Sequence, residues 1–342
     1  MIARQQRVKT KGLCSSWTDV LSGVPQGSVL GPLLFVIYIN DISKDLESQT
    51  FLYADDMKIC RAMKEDDDRS VLQRDLDSVA DWTERWGLSL NLSKCGILGI
   101  GHRGEERDSY EVQLGGVKQK LNIITSEKDL GVLVELEFES HIAEIPVTKN
   151  ANKNFGIIKR NFRNIGRNTF LLLYKSMVRS KLEYAQNVWS PYKMKYIERI
   201  EKVQRRATKL LPNMSKMSYE QRLRKIGLPT LAYRRVRGDM IEVYKMLHGL
   251  YDIDGCPNLD LATYKVTRGH NLKLKKKSAN KTARLHFFTV RIVELWNGLP
   301  SEVVNSPSVN AFKNRLDKHW KTEVLVLDLK SVTNTRNRKR EI

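Results

Sequence analysis

The sequence predicts an α+β fold, with strands and hairpins in the first 140 residues and helices after them. Three observations carry that prediction. An apolar run breaks off at Tyr53-Ala54-Asp55-Asp56 and a second short apolar run follows at once, the pattern of a β-hairpin over 50–61. From residue 140 onward the apolar spacing is helical throughout. Charge divides near the same place: residues 1–148 hold 17 Lys and Arg against 24 Asp and Glu, a balance of −7, whereas 149–342 hold 42 against 15, or +27.

In chain order, Ser22-Gly23-Val24-Pro25-Gln26-Gly27-Ser28 forms a Gly/Pro loop that opens at Pro32 into a helix over 32–46, its apolar body ending near Asn40-Asp41. Glycines let backbone approach a ligand, prolines fix the path, and the Gln26 amide both donates and accepts. The loop reads equally well as the structural start of a buried helix, and the two roles are compatible. In the hairpin, two adjacent carboxylates repel each other. A divalent cation would neutralise them, although an Asp-Asp pair is also common on a solvated turn. Asp66-Asp67-Asp68 opens a helix with Leu72, Leu76, Val79, Trp82 and Trp86 on one buried face, and acids at a helix start favour the macrodipole. Gly87 ends that helix. Residues 95–100 read as a strand of the hairpin's own sheet, and Gly99-Ile100-Gly101-His102-Arg103-Gly104 reads as a turn.

Helical periodicity continues with Phe170, Tyr174, Met177 and Val178 on one face of 168–184. Ile197, Ile200, Val203, Ala207 and Leu210 form the core stripe of 196–211. Beside that stripe run Arg199, Lys202, Arg206 and Lys209, a basic ribbon. Glu198 and Glu201 can pair with Lys202 and Arg205 at i,i+4. Arg199, Arg206 and Lys209 have no such partner, which makes this helix the candidate for phosphate contact. Tyr233, Val236, Met240, Val243 and Leu247 mark a helix stopped by Gly249. Ser308 caps a last one bearing Val309, Phe312, Leu316 and Trp320. Residues 250–283 are loop-rich. Their Lys273-Leu274-Lys275-Lys276-Lys277, like the tail Arg336-Asn337-Arg338-Lys339-Arg340, reads as a nuclear-import signal or a backbone-binding arm.

The glycine loop followed by Tyr53 to Asp56 resembles motifs B and C of the reverse transcriptases of non-LTR (LINE-type) retrotransposons, in particular their jockey-like group. Trp86-Gly87-Leu88-Ser89-Leu90-Asn91-Leu92-Ser93-Lys94-Cys95 is similar to motif D, and Lys128-Asp129-Leu130-Gly131-Val132 to motif E, the primer grip. The likeness continues through Leu182-Glu183-Tyr184-Ala185, Val188-Trp189-Ser190-Pro191-Tyr192, Gln204-Arg205-Arg206-Ala207-Thr208, Thr267-Arg268-Gly269-His270 and Trp296-Asn297-Gly298-Leu299-Pro300. The resemblance implies a truncated palm, an antiparallel sheet with packed helices, over 1–140. A helical thumb over 141–250, a basic C-terminal region over 251–325 and a basic disordered tail over 326–342 would follow. It further implies RNA-templated DNA synthesis with Mg2+, or Mn2+, held by Asp55 and Asp56. Gln26, Gly27 and Tyr53 would line the nucleotide pocket, and Lys94 would assist departure of pyrophosphate or serve only as a loop lysine. Leu130 and Gly131, on two short strands around 121–134, would meet the primer, with Arg199, Arg206 and Lys209 on template–primer phosphates. Family members carry fingers and a motif A aspartate ahead of motif B. Asp19, the one acid before Gly23, sits in no such setting. The expectation is an N-terminally truncated polymerase, incomplete for catalysis alone. A non-catalytic nucleic-acid-binding protein and a functionless remnant of a decayed element are the alternatives.

A charge of +27 on the second part fits binding of a polyanion such as nucleic acid through counterion release, and the resemblance implies an RNA template and DNA primer as that partner. The longest apolar run, 29–39, is too short to span a bilayer, so no membrane partner is expected. Cysteines 14, 60, 95 and 256 show neither disulfide nor zinc spacing, and His270 and His286 read as structural. An intracellular location, nucleus or cytoplasm, is the matching expectation.

Overall fold

The structure is a computed structural model and describes residues 4–20, 23–24, 27–100, 109–135, 141–252, 256–262, 269–280 and 282–321. It is a mixed helix-and-sheet protein, as the sequence predicts. It divides into two compact units, Met1–Gly99 with Arg103–Thr125, and Ile100–His102 with Ser126–Ile342.

The first unit is built from small two-stranded ladders and two helices. Strands β1 (Arg4–Gln6) and β4 (Thr18–Val20) pair antiparallel, as do β2 (Lys9–Thr10) and β3 (Leu13–Cys14) between them. Helix α1 (Leu30–Ile39) follows, then the hairpin β5 (Gln49–Tyr53) and β6 (Asp56–Cys60), then α2 (Asp68–Arg85). Strand β7 (Gly96–Ile97) pairs in parallel with β10 (Asn122–Ile123), and β8 (Glu111–Leu114) pairs with β9 (Val117–Lys120) across Gly115 and Gly116. Both glycines have positive φ, 56° and 80°, as a two-residue hairpin turn with right-handed strands requires.

Three expectations are corrected here. The helix predicted over 32–46 stops at Ile39. Turn bonds from Ile42, Lys44 and Leu46 back to the carbonyls of Ile39, Asp41 and Ser43 replace the helical ladder once the apolar run gives way to Asn40-Asp41. The segment 95–100 does not join the hairpin's sheet, because β7 spends its ladder on β10. The buried stripe of α2 is Val71, Asp75, Val79 and Thr83. Of the five apolar residues expected inside, only Val79 is fully buried, and Trp86 is exposed. Asp75 goes inside because its carboxylate accepts the Glu47 and Ser48 amides at 3.0 and 2.9 Å, which pins the root of β5 to α2.

At the opening of α2 the capping expected of acids at a helix start is not seen: Asp67 at the N-cap makes no side-chain cap hydrogen bond, and Asp68 instead holds the chain just ahead of the helix. Asp68 accepts the Lys64 and Glu65 amides at 2.8 and 2.9 Å and the Arg61 guanidinium at 2.8 Å. Those donors, the backbone amides first, hold its carboxyl at about 2. Helix α1 is apolar on every side, yet only Gly31 and Ile39 are buried. Tyr38 ties its last turn to α2 by packing edge-on to Trp82 and Trp86 and donating to the Trp86 carbonyl. Leu30, Leu33, Val36 and Ile37 stay exposed.

The second unit opens with a hairpin, β11 (Ser126–Asp129) and β12 (Val132–Glu135), and continues in helices. The exception is the described residues between Leu247 and Thr282, which are non-helical and carry an isolated bridge from Leu261 to Leu274. Helix α3 (His141–Asn161) is followed by α4 (Arg167–Leu173), a π-helical turn over Tyr174–Arg179, α5 (Ser180–Glu183) and α6 (Gln186–Trp189). Asn154 donates to the Met177 carbonyl within the π turn at 2.7 Å. Helices α7 (Met194–Ala207), α8 (Tyr219–Ile226) and α9 (Leu231–Leu247) complete one core with Phe170, Tyr174, Leu182, Trp189, Ile200, Val203 and Leu223 inside. Ser218 and Gln221 form a capping box for α8, and Thr230 caps α9.

After the short helix α10 (Thr282–Leu285), a further cluster lies under the inner side of α9 and the short helices α11 (Phe288–Arg291), α12 (Val293–Asn297) and α13 (Ser301–Val304), closed by α14 (Val309–Lys321). Ser308 caps α14 as predicted, accepting the Ala311 amide at 3.2 Å. The lysine run 273–277 is a stitched segment and not a free arm. Leu274 is buried, and Asn297 both donates to its carbonyl and accepts its amide at 2.9 and 2.8 Å. Lys276 and Lys277 pair with Glu294 and Asp260. His270 is buried with Nε2 3.2 Å from the Trp296 carbonyl, and His286 stacks on Tyr192, so both histidines have structural settings. The tail 336–340 and the pair Thr267-Arg268 lie outside the described residues.

Candidate active site and nucleic-acid interface

The acidic turn is short and its register is fixed. Tyr53 pairs with Asp56, which leaves Ala54 and Asp55 as the two turn residues. Ala54 has φ +51°, a left-handed conformation that costs a residue with a Cβ about 1–2 kcal/mol. Tyr53, Asp55 and Asp56 are all exposed. The structure thus brings three of the predicted residues together on one projecting turn, whose base is held to α2 by Asp75. Chemically the pair suits a hard cation, since Mg2+ takes one or two carboxylates and fills its octahedron with water and phosphate oxygens. Among the described residues no group of three or more His, Cys, Asp or Glu is placed to hold a metal alone.

Gly27 has φ +78° and nothing within 4 Å of where a Cβ would stand, so its backbone is open to approach. Gln26 lies outside the described residues. Lys94 is exposed at the end of a one-turn 3-10 helix, Leu92–Lys94, between α2 and β7. The turn foreseen over 99–104 falls mostly outside the described residues.

In the second unit Leu130 and Gly131 are the two turn residues between β11 and β12, with φ +43° and +88°. Tyr184 reaches this turn from the end of α5. Its hydroxyl donates to the Leu130 carbonyl at 2.6 Å, and its ring lies 3.3 Å from where a Gly131 Cβ would be. The two segments lie 54 residues apart in sequence, which gives no sign that they touch.

On α7 the predicted division of faces holds: Ile197, Ile200, Val203 and Ala207 are buried, and Arg199, Lys202, Arg206 and Lys209 are exposed on the far side. Lys209 stands just past the helix, on a 3-10 turn, and the Arg199 guanidinium lies 5.6 Å from the Tyr196 ring centre. Glu201 departs from expectation. It is fully buried rather than paired on the surface, and its carboxylate accepts the Leu231 amide at 3.1 and 3.2 Å and the Tyr219 hydroxyl. Burial pushes its carboxyl above the usual range. Gln204 is buried beside it, accepting from Tyr174 at 2.6 Å and donating to the Pro229 carbonyl at 3.0 Å, while Thr208 accepts from Arg222 at 3.0 Å. Of the motif Gln204-Arg205-Arg206-Ala207-Thr208, therefore, Gln204 and Thr208 serve the core and Arg206 faces solvent.

Comparison with known proteins gives the class first. Residues 7–120 match the family model described as reverse transcriptase (RNA-dependent DNA polymerase), so that stretch of the chain is similar to this family. The relatives are polymerases of mobile elements, as the non-LTR resemblance implies. The chain is 26% identical over 61% of its length to a probable RNA-directed DNA polymerase from transposon X-element of Drosophila melanogaster, covering 24% of that protein. It is 28% identical to the RNA-directed DNA polymerase from mobile element jockey of Drosophila funebris, over 73% of this chain and 28% of that one. The jockey polymerase of Drosophila melanogaster is likewise 28% identical, over 59% of this chain and 23% of that protein. The chain thus spans about a quarter of the length of these curated relatives. No solved structure matches it. No helix of the described residues is long and apolar enough to cross a membrane.

Proposed function

We propose that the chain is a template–primer-binding part of an RNA-directed DNA polymerase. In this reading residues 1–140 are part of a palm, 141–250 a thumb, and 251–325 with the tail 326–342 a basic extension. The observation that carries it is the acidic turn of residues 53–56 inside a segment that matches the reverse transcriptase family. Asp55 and Asp56 would hold Mg2+ or Mn2+, which when bound supplies charge neutralisation for joining a primer 3′-hydroxyl to a deoxynucleotide phosphate. Around that step the chain's own residues bind and orient. Gln26 and Gly27 offer an amide and open backbone to the nucleotide, Tyr53 flanks the acids, and Lys94 supplies positive charge for pyrophosphate. Leu130 and Gly131 meet the primer, and Arg199, Arg206 and Lys209 meet phosphates, where charge and position carry most of the effect.

Phosphoryl transfer by two metals draws carboxylates from more than one strand, and one turn supplies Asp55 and Asp56. The chain alone would accordingly bind primer-template without extending it. The basic face of α7 favours a second reading, a nucleic-acid-binding protein without catalysis. One assay on poly(rA)/oligo(dT), with and without an added polypeptide carrying the fingers and motif A of a jockey polymerase, separates the two. Extension restored by that polypeptide and lost in Asp55→Ala supports the polymerase reading. Binding with no extension under either condition supports the second. Absent or salt-insensitive binding removes both.

A further inference from the structure

We infer that Tyr184 is the positioning residue for the Leu130–Gly131 turn, and that the motif around it is conformationally specialised to mount that turn. The inference rests on the proposed contact between the turn and a primer. The turn is strained: Leu130 sits at φ +43°, where a side chain is disfavoured, and such a conformation persists only when its surroundings enforce it. Tyr184 is the enforcing neighbour. Its hydroxyl takes the Leu130 carbonyl at 2.6 Å, and its ring fills the space beside Gly131, where a Cβ would come within 3.3 Å.

Tyr184 is itself rigidly held. It ends α5 in an extended conformation, and Ala185 after it turns the chain left-handed with φ +48°. The Tyr184 carbonyl accepts the indole N–H of Trp189 at 2.6 Å, and Trp189 is buried in the helical core. On the same short segment Glu183 is gripped by the Arg234 guanidinium. From the other side Val132, the first residue after the turn, packs against the same core. A continuous path therefore runs from the core through Trp189 and Tyr184 to the turn. Leu130 and Tyr184 nevertheless keep 43% and 52% of their surface exposed, so the outer side of the turn remains open to a ligand. This gives Tyr184-Ala185 and Trp189 one shared purpose.

The test uses the full chain with Leu130 replaced by the photocrosslinking residue p-benzoylphenylalanine, bound to a primer-template labelled on the primer strand. Tyr184→Phe keeps the ring and loses the hydrogen bond. It should cut the primer crosslink about three- to tenfold at saturating protein while leaving the thermal midpoint unchanged. Amide exchange at Gly131 and Val132 in the unbound chain should speed up by a similar factor. Unchanged crosslinking and exchange in Tyr184→Phe would overturn the positioning role. Faster exchange with no primer crosslink in either background would keep the mount but overturn the primer contact, a failure of the proposed function and not of the geometry. A fall in thermal midpoint matching the crosslink loss would reduce Tyr184 to a general structural residue and also overturn the inference.

Discussion

Both carboxylate oxygens of Glu201 accept the backbone amide of Leu231, at 3.2 and 3.1 Å, joining the middle of α7 to the first residue of α9. The side chain is fully buried, and the equally buried Arg235 faces it electrostatically. Removing the carboxylate leaves the Tyr219 hydroxyl and Arg235 short of a partner. Glu201→Ala should cost about 3 kcal/mol or more in chemical unfolding, by analogy with broken buried pairs. Folding raises this acid's pKa, so the folded state binds its proton more tightly than the unfolded chain. Its contribution to stability is therefore largest below the ordinary carboxylate range and falls as pH rises through it. The stability of wild type relative to Glu201→Gln should shrink as pH rises through and above the ordinary carboxylate range. A gap that widens over that range contradicts the assignment.

Asp68 has the opposite sign. Its carboxyl is held at about 2 by the Lys64 and Glu65 amides and Arg61, so its contribution is complete above the usual value near 3.8 and disappears as pH falls through 2. Amide exchange should show Lys64 and Glu65 protected at pH 5 and losing protection toward pH 2. In Asp68→Ala they should be unprotected at both. Because every donor to Asp68 is local, this reports the α2 start and no distant event.

At Ala54 two effects nearly cancel. Glycine relieves about 1–2 kcal/mol of left-handed strain but loses about 0.4–1 kcal/mol through a freer unfolded chain. Ala54→Gly should therefore be neutral to about 1.5 kcal/mol stabilising, and Ala54→Val should cost about 2 kcal/mol because a β-branched residue fits that region worst. Urea unfolding of the two variants checks the ordering. Equal stability would mean that the turn does not hold φ +51° in solution.

The exposed face of α7 gives a salt-dependent prediction. Arg206 on α7 and Lys209 on the 3-10 turn after it are both exposed. If each meets one phosphate, Arg206→Gln with Lys209→Gln should weaken primer-template binding and flatten the slope of log K against log salt by about 1.8. An unchanged slope would place the phosphate contact elsewhere on the basic unit.

These comparisons show what was readable from the chain. Periodicity located the buried face of α7 and α9 because their apolar residues repeat at helical spacing, even though Arg235 and Asp239 are buried on α9 and Glu201 and Gln204 on α7. Glu201 and Gln204 were misjudged or missed because their partners, Leu231 and Tyr174, lie about 30 residues away. Asp75 misled for the same reason, displacing the expected stripe of α2 toward the amides it accepts. The β8–β9 hairpin was missed although Gly115-Gly116 between alternating residues marks it. At the candidate site, the hairpin and the position of Asp55 and Asp56 were legible from four adjacent residues. The seating of Leu130-Gly131 on Tyr184 was not, since 54 residues separate hydroxyl and carbonyl.

The most direct measurement is a manganese titration of the full chain followed by paramagnetic broadening of its amide signals. A cation seat at Asp55 and Asp56 predicts that the amides of Tyr53 to Asp56 broaden first, at substoichiometric Mn2+, and that Asp55→Asn with Asp56→Asn abolishes the effect. Broadening that begins at Asp66-Asp67-Asp68, the rival acidic cluster, with the 53–56 turn unaffected, would contradict it.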